Sequence, residues 1–255
     1  MQKLVSIIMP CFNSEKFISE AILSVQNQTF INWELIIIDD CSTDKSIEII
    51  NIFSNEDERI KLFELPINSG TGVTRNFGVE NSNGKFIAFL DSDDIWKPEK
   101  LEKQLEFMEA FNVPFTFSFY ETMNENGELT GKTIKSPKHL KYYQLFFCNF
   151  IGNLTGIYSV DFFGKIPIDS SKKRQDWMLW LSILKQIRTA KLIKESLAYY
   201  RIRESSLSAS KVNLLKHNFG VYRNFHQFNL IVSIFCMVGF LFTQLFIKRF
   251  YSRIT

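Results

Sequence analysis

Three carboxylates fall within four residues at Asp91-Ser92-Asp93-Asp94, directly after the apolar run Phe86–Leu90. Carboxylates this close repel one another unless a cation lies among them, and oxygen ligands suit Mg²⁺ and Mn²⁺. We therefore expect a divalent ion that bridges a diphosphate. A calcium loop is excluded, because Trp96 stands where that loop requires glycine. The alternative to a ligand site is a solvated acidic turn.

A second acidic segment, Asp39-Asp40-Cys41-Ser42-Thr43-Asp44, follows the apolar run that ends at Ile38. A carboxylate here can accept the imide N–H of a uracil base. Ser42 or Thr43 is also placed to cap the next helix, and acidic caps after strands are common. The first apolar run, Leu4–Met9, ends in the same way at Pro10-Cys11-Phe12-Asn13.

The segment from Gly70 to Gly78 places glycines before a predicted helix that carries Arg75. It is not a dinucleotide fingerprint, because Arg75 occupies the position of the third glycine, and no Walker lysine follows. A helix N-terminus with an arginine suits a phosphate group. The alternative is that Arg75 is a solvated helix residue.

The elements that position these residues follow from the hydrophobic pattern. Short apolar runs alternate with helical stripes up to Leu90, which predicts βαβ units in a parallel sheet whose ligand-binding edge lies at the carboxyl ends of the strands. Asn13 or Ser14 is expected to cap the first helix. The predicted strands are Leu4–Met9, Glu34–Asp39, Ile60–Leu65, Phe86–Leu90 and Leu197–Ile202. Phe115–Met123 and Leu129–Ile134 are interpreted as a hairpin or as an irregular excursion. Predicted helices include Phe17–Val25, Ser42–Asn55, one from Pro98, and Arg174–Ile187.

Composition and charge exclude several classes of protein. The chain has 255 residues and a formal charge of +3 from 30 basic and 27 acidic residues, which is too balanced for a nucleic-acid partner. Its four cysteines show no ligand spacing, so neither a zinc site nor a disulfide framework is indicated, and a reducing cytosol fits best. The first apolar run is too short for a signal-peptide core, so we expect the main body to stay in the cytoplasm.

The tail, residues 211–255, differs from the rest of the chain. It is cationic and rich in Phe, and Leu230–Ile247 contains no charged residue. Eighteen residues are at the lower limit for a membrane span, and a span would place the basic residues after Ile247 on the outer side, against the positive-inside tendency. We favour a helix in the membrane interface. The alternatives are a true span, and an apolar helix packed on the domain or on a second subunit.

Four segments in this order resemble the motifs of the family 2 glycosyltransferases: Ser6–Asn13, Ile38–Asp44, Gly72–Gly78 and Phe89–Asp94. The resemblance implies an α/β protein of the GT-A type, with a mostly parallel nucleotide-binding sheet flanked by helices, followed here by the membrane-associated helical tail. It divides the chain into a nucleotide-sugar-binding half at 1–95, an acceptor-binding half with the catalytic base at 96–210, and the tail.

The resemblance also implies roles for particular residues. A nucleotide-sugar donor, usually a UDP-sugar, would be held at the strand ends with Mn²⁺ or Mg²⁺. The implied nucleotide-binding residues are Pro10, Asn13 and Glu15 at the nucleoside, Asp39 or Asp40 at the base, and Arg75; Asp91 and Asp93 would hold ribose and metal.

Two later segments resemble family motifs with one departure each. Arg174–Trp180 resembles the motif of the catalytic base, which makes Asp176 the candidate; Gln175 stands where glutamate is usual. The alternative for Asp176 is a helix cap. Tyr200–Ser208 resembles a motif in which histidine is common where Arg203 stands, and a guanidinium can neutralise a diphosphate but cannot ligate a metal.

The function implied is inverting, metal-dependent transfer of a sugar, of the hexosyltransferase type, to a saccharide or lipid-linked acceptor in cell-surface polysaccharide biosynthesis. The tail would tether the enzyme to the cytoplasmic face of the inner membrane. The alternative is a catalytically impaired nucleotide-binding scaffold subunit, supported by Gln175 and Arg203. A nucleotidyltransferase would need a basic glycine-rich loop near the N-terminus, which Leu4–Asn13 does not offer.

Overall fold

The computed structural model describes residues 3–169, 171, 173–203 and 211–254, with the side chains of 211–213 and 252–254 left out. Residues 204–210 lie outside this range, and they include the last part of the predicted motif Tyr200–Ser208. The strands are β1 (Val5–Cys11), β2 (Trp33–Asp39), β3 (Ile60–Glu64), β4 (Phe86–Phe89), β5 (Ile95–Trp96), β6 (Phe115–Met123), β7 (Leu129–Ile134), β8 (His139–Lys141), β9 (Ile157–Ser159), β10 (Thr189–Arg201) and β11 (Ser252–Ile254). The helices are α1 (Ile18–Gln26), α2 (Ser46–Glu56), α3 (Thr71–Glu80), α4 (Lys100–Ala110), α5 (Tyr142–Phe147), α6 (Val160–Phe163), α7 (Gln175–Ile187), α8 (Lys211–Gly220) and α9 (Leu230–Phe242).

The sheet is mixed, in the order β11-β7-β6-β9-β4-β1-β2-β3. Strands β4, β1, β2 and β3 run parallel, as their apolar sequences predict for strands that are covered on both faces. Strand β9 joins β4 antiparallel and leads to the predicted hairpin of β6 and β7. One face packs against α1, α2 and α4, and the other against α3 and α7. The parallel sheet flanked by helices is confirmed.

Two predictions about helix starts are wrong. Helix α1 begins at Ile18 without a side-chain cap, and α2 begins at Ser46 instead of Ser42. For α1, the Ser14 hydroxyl bonds to that of Ser92, and the Asn13 carboxamide oxygen accepts the N–H of Thr43. For α2, which has no side-chain cap, the Ser42 hydroxyl donates to Asp39. These residues therefore tie the loops at the sheet edge together.

Strand β10 is longer than Leu197–Ile202, the apolar segment that predicted it. It runs from Thr189 to Arg201 and pairs with β5, β6 and β8. Its pairing with β6 shifts register between Ile193 and Ser196, where the polar residues Lys194 and Glu195 interrupt the apolar pattern. A strand that contains a bulge does not keep the two-residue alternation, so the sequence pattern showed only its last part.

The tail helix lies along the body of the protein. Helix α9 continues through irregular turns to Tyr251, and this segment is long and apolar enough to cross a membrane. Its inner face buries Ser233, Phe240 and Thr243, and Gly239 fits against Phe147 so closely that an added Cβ would lie 2.6 Å from the ring. After it, β11 pairs antiparallel with β7. Both ends of the helix are therefore attached to the same body.

The outer face of this segment is apolar and exposed. Phe235 is 73% exposed and Phe250 is 75% exposed. We call this surface the outward stripe; its members are Leu230, Ile231, Ile234, Phe235, Val238, Leu241, Phe242, Leu245, Phe246 and Phe250.

Candidate active site

The carboxyl ends of β1 and β2 are joined by hydrogen bonds between the loops that follow them. Pro10 pairs with Ile38 at the ends of these strands. Asn13 accepts the N–H of Thr43 at 2.8 Å, and Glu15 accepts the N–H of Lys45 at 3.1 Å. The side chains of Asn13 and Glu15 are exposed at this edge, where open α/β sheets bind ligands.

The two aspartates at the end of β2 have different partners. Asp39 is fully buried and accepts the N–H and the hydroxyl of Ser42. Asp40 accepts the N–H of Ser69 at 2.7 Å and that of Gly70 at 2.8 Å. Asp40 thus holds the turn that starts α3, at Gly70, whose φ of 84° favours glycine. Each carboxylate oxygen can accept two hydrogen bonds, so the bonds described here leave room for one from a nucleotide base. That contact stays a prediction for both aspartates.

Arg75 joins two elements that are far apart in sequence. It lies buried on α3, donates to Asp91 at 2.5 Å through Nη2, and donates to Gln175 at 2.9 Å through Nη1. Its Nε is buried without a partner among the described residues. The carboxamide of Gln175 also donates to the carbonyl of Ser171, which a glutamate side chain could not do. The glutamine at position 175, where the family motif usually has glutamate, therefore has a structural reason.

Asp176, the next residue on α7, belongs to the same network. Its Oδ2 accepts the carboxamide of Asn149 at 2.8 Å. From the same loop, Asn153 donates to Asp91 at 3.3 Å. Together with the main chain from Gln175 to Asp176 and from Asn149 to Asn153, these hydrogen bonds close into a ring. This ring brings the candidate base and the candidate nucleotide-binding carboxylate to one place.

The tail contributes to the loop that carries Asn149. Lys248 donates from Nζ to the main-chain carbonyl of Asn149 at 2.8 Å, and the Cys148 thiol lies 3.2 Å from Oε1 of Gln244. The Asn149 side chain also accepts the N–H of Ile151. The amide that faces Asp176 is therefore held from both sides.

Asp93 and Asp94 lie deeper at the same edge. Nε of Arg203 is 2.7 Å from Oδ2 of Asp93. Asp94 accepts the N–H of Arg201, and the side chain of Arg201 donates to the carbonyl of Asp93. Burial raises the pKa of Asp93, which Arg203 opposes and Asp91 reinforces. Burial raises the pKa of Asp94 further, helped by the charges of Asp93 and Asp91.

Backbone strain is also present at this edge. Asn13 and Cys41, which follow β1 and β2, and Arg174, which precedes α7, have positive φ of 47°, 67° and 71°. Non-glycine residues adopt this conformation at a cost, and such residues concentrate at functional sites. At Arg174 it turns the chain so that Gln175 and Asp176 start the helix at the network described above.

The donor set suits a divalent ion that is shared with a phosphate. No cluster of three metal-ligating side chains occurs among the described residues. Mg²⁺ and Mn²⁺ at phosphate sites take one or two carboxylates and complete their coordination with phosphate oxygens and water. Asp91 and Asp93 supply two partly exposed carboxylates, and Oδ2 of the neighbouring Asp94 is buried without a described partner. These residues fit such an ion.

The sequence alone did not predict the roles of three further residues at this edge: Asn149, Asn153 and Arg201. Isolated asparagines in a loop carry no pattern, and the loop reaches the site only because α5 and β9 bring it there. Arg201 lies in the late motif that was singled out for Arg203. Two cavities, of about 560 and 380 Å³, lie instead along α7 near Ser182 and Phe225, and none of the predicted site residues lines them.

Comparison with known proteins identifies the family. The model of "Glycosyl transferase family 2" matches residues 6–163, which contain the first four motifs. The chain belongs to this family. It is a glycosyltransferase, and the resemblance seen in its sequence is confirmed.

Two curated relatives match over nearly their full lengths. TuaG of Bacillus subtilis, named as a glycosyltransferase of teichuronic acid biosynthesis, is 39% identical over 93% of this chain and 94% of its own. WfgD of Escherichia coli, named as a UDP-Glc:α-D-GlcNAc-diphosphoundecaprenol β-1,3-glucosyltransferase, is 36% identical over 93% of this chain and 92% of its own.

Solved structures share the fold. Residues 1–349 of Staphylococcus aureus TarS, in complex with UDP-GlcNAc, align with a TM-score of 0.70 at 20% identity over 96% of this chain and 73% of that one. The mannosyltransferase PcManGT of Pyrobaculum calidifontis, in complex with GDP-Man and Mn²⁺, aligns with a TM-score of 0.68 at 12% identity over 97% and 71%. The GT-A fold is therefore confirmed.

Proposed function

We propose that this glycosyltransferase transfers a hexose, with inversion, from a UDP-sugar to a saccharide or lipid-linked acceptor of a cell-surface polysaccharide. The observation that carries the proposal is the ring of hydrogen bonds that joins Asp91, Arg75 and Gln175 to Asp176 through Asn149 and Asn153. It links the carboxylate proposed for the acceptor, Asp176, to the one proposed for the donor, Asp91, through their hydrogen-bond partners. The donor and acceptor classes rest on the names of WfgD and TuaG.

The mechanism is a single displacement. Asp176 takes the proton of the acceptor hydroxyl, and the hydroxyl oxygen attacks the anomeric carbon as the bond to the diphosphate breaks. Arg75, which is bonded to Asp91, would place a positive charge near the leaving group and stabilise the negative charge that develops there. Asp91 and Asp93 would hold Mn²⁺ or Mg²⁺, which would supply further neutralisation of the diphosphate.

At the nucleoside end, Pro10, Asn13 and Glu15 line the edge formed by β1, and Asp39 or Asp40 accepts from the base. Asp40 already fixes the turn before α3, and Asp39 fixes the turn before α2. The two aspartates therefore each hold one turn, and a nucleoside would lie between these turns.

We further propose that the outward stripe lies in the membrane interface at the cytoplasmic face. A helix with an exposed apolar side and flanking basic residues binds such surfaces. Both ends of the segment are attached to the same body, by the Tyr222 hydroxyl bonded to Phe146 before it and by β11 after it. This attachment favours an in-plane helix over a span. An acceptor confined to the bilayer would then meet the enzyme at its surface.

The test is a transfer assay with UDP-sugars and a polyprenyl-diphosphate-linked acceptor, beside UDP binding by calorimetry. Asp176→Asn keeps the size of the side chain and its contact with Asn149, but removes the base. We expect kcat to fall by about 10² to 10⁴ while the affinity for UDP stays within about twofold. Full activity in this variant would contradict the role of Asp176. UDP binding without transfer to any acceptor by the wild type would favour the scaffold alternative.

A further inference from the structure

Arg203 lies against Asp93, one of the two carboxylates that would hold a divalent ion. Its Nε is 2.7 Å from Oδ2 of Asp93, and its guanidinium carbon is 5.3 Å from the centre of the Phe17 ring. The two side chains are 25% and 17% exposed, so water screens the pair only in part. A guanidinium in this place neutralises the carboxylate when no metal is bound.

Hydrogen bonds of the two residues before Arg203 fix the position of the chain that carries it. Arg201 donates its N–H to Asp94 at 2.9 Å and its Nε–H to the carbonyl of Asp93 at 2.8 Å. Ile202 donates its N–H to the carbonyl of Met123 at 2.9 Å. The chain that leaves β10 is therefore attached to the acidic turn and to β6, and it directs Arg203 toward Asp93.

The acidic turn is balanced by arginines. Asp91 pairs with Arg75 at 2.5 Å, and Asp93 pairs with Arg203. The side chain of Arg201 pairs with Glu20 and donates to the main-chain carbonyl of Asp93. Two carboxylates of the turn thus pair with guanidinium groups of the chain itself. A divalent ion held by Asp93 would share that carboxylate with Arg203, and two cations on one carboxylate repel each other.

We propose that Arg203 and the divalent ion compete for Asp93, and that Arg203 moves to the diphosphate when a metal–nucleotide complex binds. Nε of Arg203 is buried beside Asp93 without a hydrogen-bond partner among the described residues, so the diphosphate would supply an acceptor that Arg203 lacks, and arginine binds phosphate well. The metal then binds tightly only together with the nucleotide. This inference rests on the proposed function, because it takes the nucleotide diphosphate as the ligand.

The test measures two affinities on the full chain. Binding of Mn²⁺ alone is followed through the electron paramagnetic resonance signal of the free ion, and binding of UDP in saturating Mn²⁺ is followed by calorimetry. In Arg203→Ala we expect Mn²⁺ alone to bind at least about fivefold more tightly, because its competitor is gone, and UDP to bind at least about fivefold more weakly. Arg203→Lys, which keeps the charge, should show smaller changes in both.

The opposite signs separate this role from structural damage. A variant that only loosens the turn would bind both Mn²⁺ and UDP more weakly, and that result would overturn the inference. An affinity for Mn²⁺ within about twofold of the wild type would also overturn it. The matched control is Arg59→Ala, which removes an arginine that pairs with Asp57 beside β3 and should leave both affinities unchanged.

The outcomes also separate this inference from the proposed function. A wild type that binds no nucleotide diphosphate contradicts the proposed function, and with it the movement of Arg203 to the diphosphate. The measurement with Mn²⁺ alone still decides whether Arg203 competes for Asp93. If UDP binds and Arg203→Ala changes neither affinity, the proposed function stands and the inference fails.

Discussion

At the scale of single residues, the site depends on amide side chains placed against carboxylates. Asn149 is the hydrogen-bond donor that the described part of the chain supplies to Asp176. Because an amide cannot lose its proton near neutral pH, it holds the carboxylate in one orientation and would not compete with the proposed base for a proton.

Asn149→Asp should therefore change how activity depends on pH. Two carboxylates would stand at the present 2.8 Å contact, and one of the pair would keep a proton to higher pH. We expect the acid limb of the kcat profile to move toward alkaline pH by about one unit. The measurement is kcat against pH at saturating substrates. Asn126→Asp, in the exposed turn between β6 and β7, is the control, and an unshifted limb in Asn149→Asp would contradict the contact.

A second residue links stability to pH. His226 lies among Phe146, Tyr222 and Phe228, and its Nε2 is buried without a partner in the described part of the chain. Burial, reinforced by the charge of Lys185, lowers the pKa of His226 from 6.5 to about 4. The unfolded chain then binds a proton that the folded chain does not, so stability is lost as the pH falls from 6.5 toward 4.

His226→Phe should remove this loss. When the pH is lowered from about 7.5 to about 5, we expect the Tm of the wild type to fall more than that of the variant, because only the wild type has the buried imidazole. Thermal unfolding at the two pH values measures the difference. His139→Gln, at an exposed position on β8, should follow the wild type. Equal losses in the wild type and His226→Phe would show that this histidine is not the cause.

At the scale of elements, close packing decides where Arg75 stands. Helix α3 crosses β1 and β2 at Gly78, where an added Cβ would lie 2.6 Å from the side chains of both Ile8 and Ile38. Gly78→Ala should lower the free energy of unfolding by about 1–3 kcal/mol, because the helix must move away from the sheet.

The displaced helix would also carry Arg75 away from Asp91, so weaker UDP binding should accompany the loss of stability. Denaturant unfolding and calorimetry measure the two effects. Val73→Ala, at an exposed position on the same helix, should change the unfolding free energy by less than about 0.5 kcal/mol. A Gly78→Ala variant as stable as Val73→Ala would contradict the close approach.

The sequence predicted the parallel strands well, because strands covered on both faces have nearly continuous apolar sequences. It failed where polar side chains serve tertiary contacts. Ser14 and Asn13 bond to neighbouring loops instead of capping α1, and β10 passes through a bulge. The same limit applies to the site. Asp91, Arg75 and Asp176 stand in motifs, whereas Asn149 and Asn153 acquire their partners only from the path of the chain.

At the scale of the whole molecule, the outward stripe should decide where the enzyme resides. Phe235→Glu with Phe242→Glu places two charges on the exposed side of the tail helix, where the membrane interface would be. We expect sedimentation with vesicles that contain phosphatidylglycerol to be lost, because charged groups do not enter the acyl boundary. Binding by the wild type should weaken in high salt and in neutral phosphatidylcholine vesicles.

Ile31→Glu is the matched control, since Ile31 is 75% exposed but lies in the loop before β2. It should leave vesicle binding unchanged. Solubility and monomeric behaviour of the wild type without vesicles, together with no sedimentation with any vesicle, would contradict the membrane role. Dimerisation through the stripe would favour the alternative of a second subunit.

The attachment of the tail has a practical consequence for preparing the protein. Cutting the chain before Leu230 to obtain a more tractable enzyme would also remove Phe240, which covers Trp177, the donor Lys248 beside Asn149, and the edge strand β11. Such a shortened enzyme would expose new apolar surface on α7 and release the loop that faces Asp176. Polar replacements confined to the outward stripe, with Lys248 and β11 retained, would improve handling while leaving the loop that faces Asp176 supported.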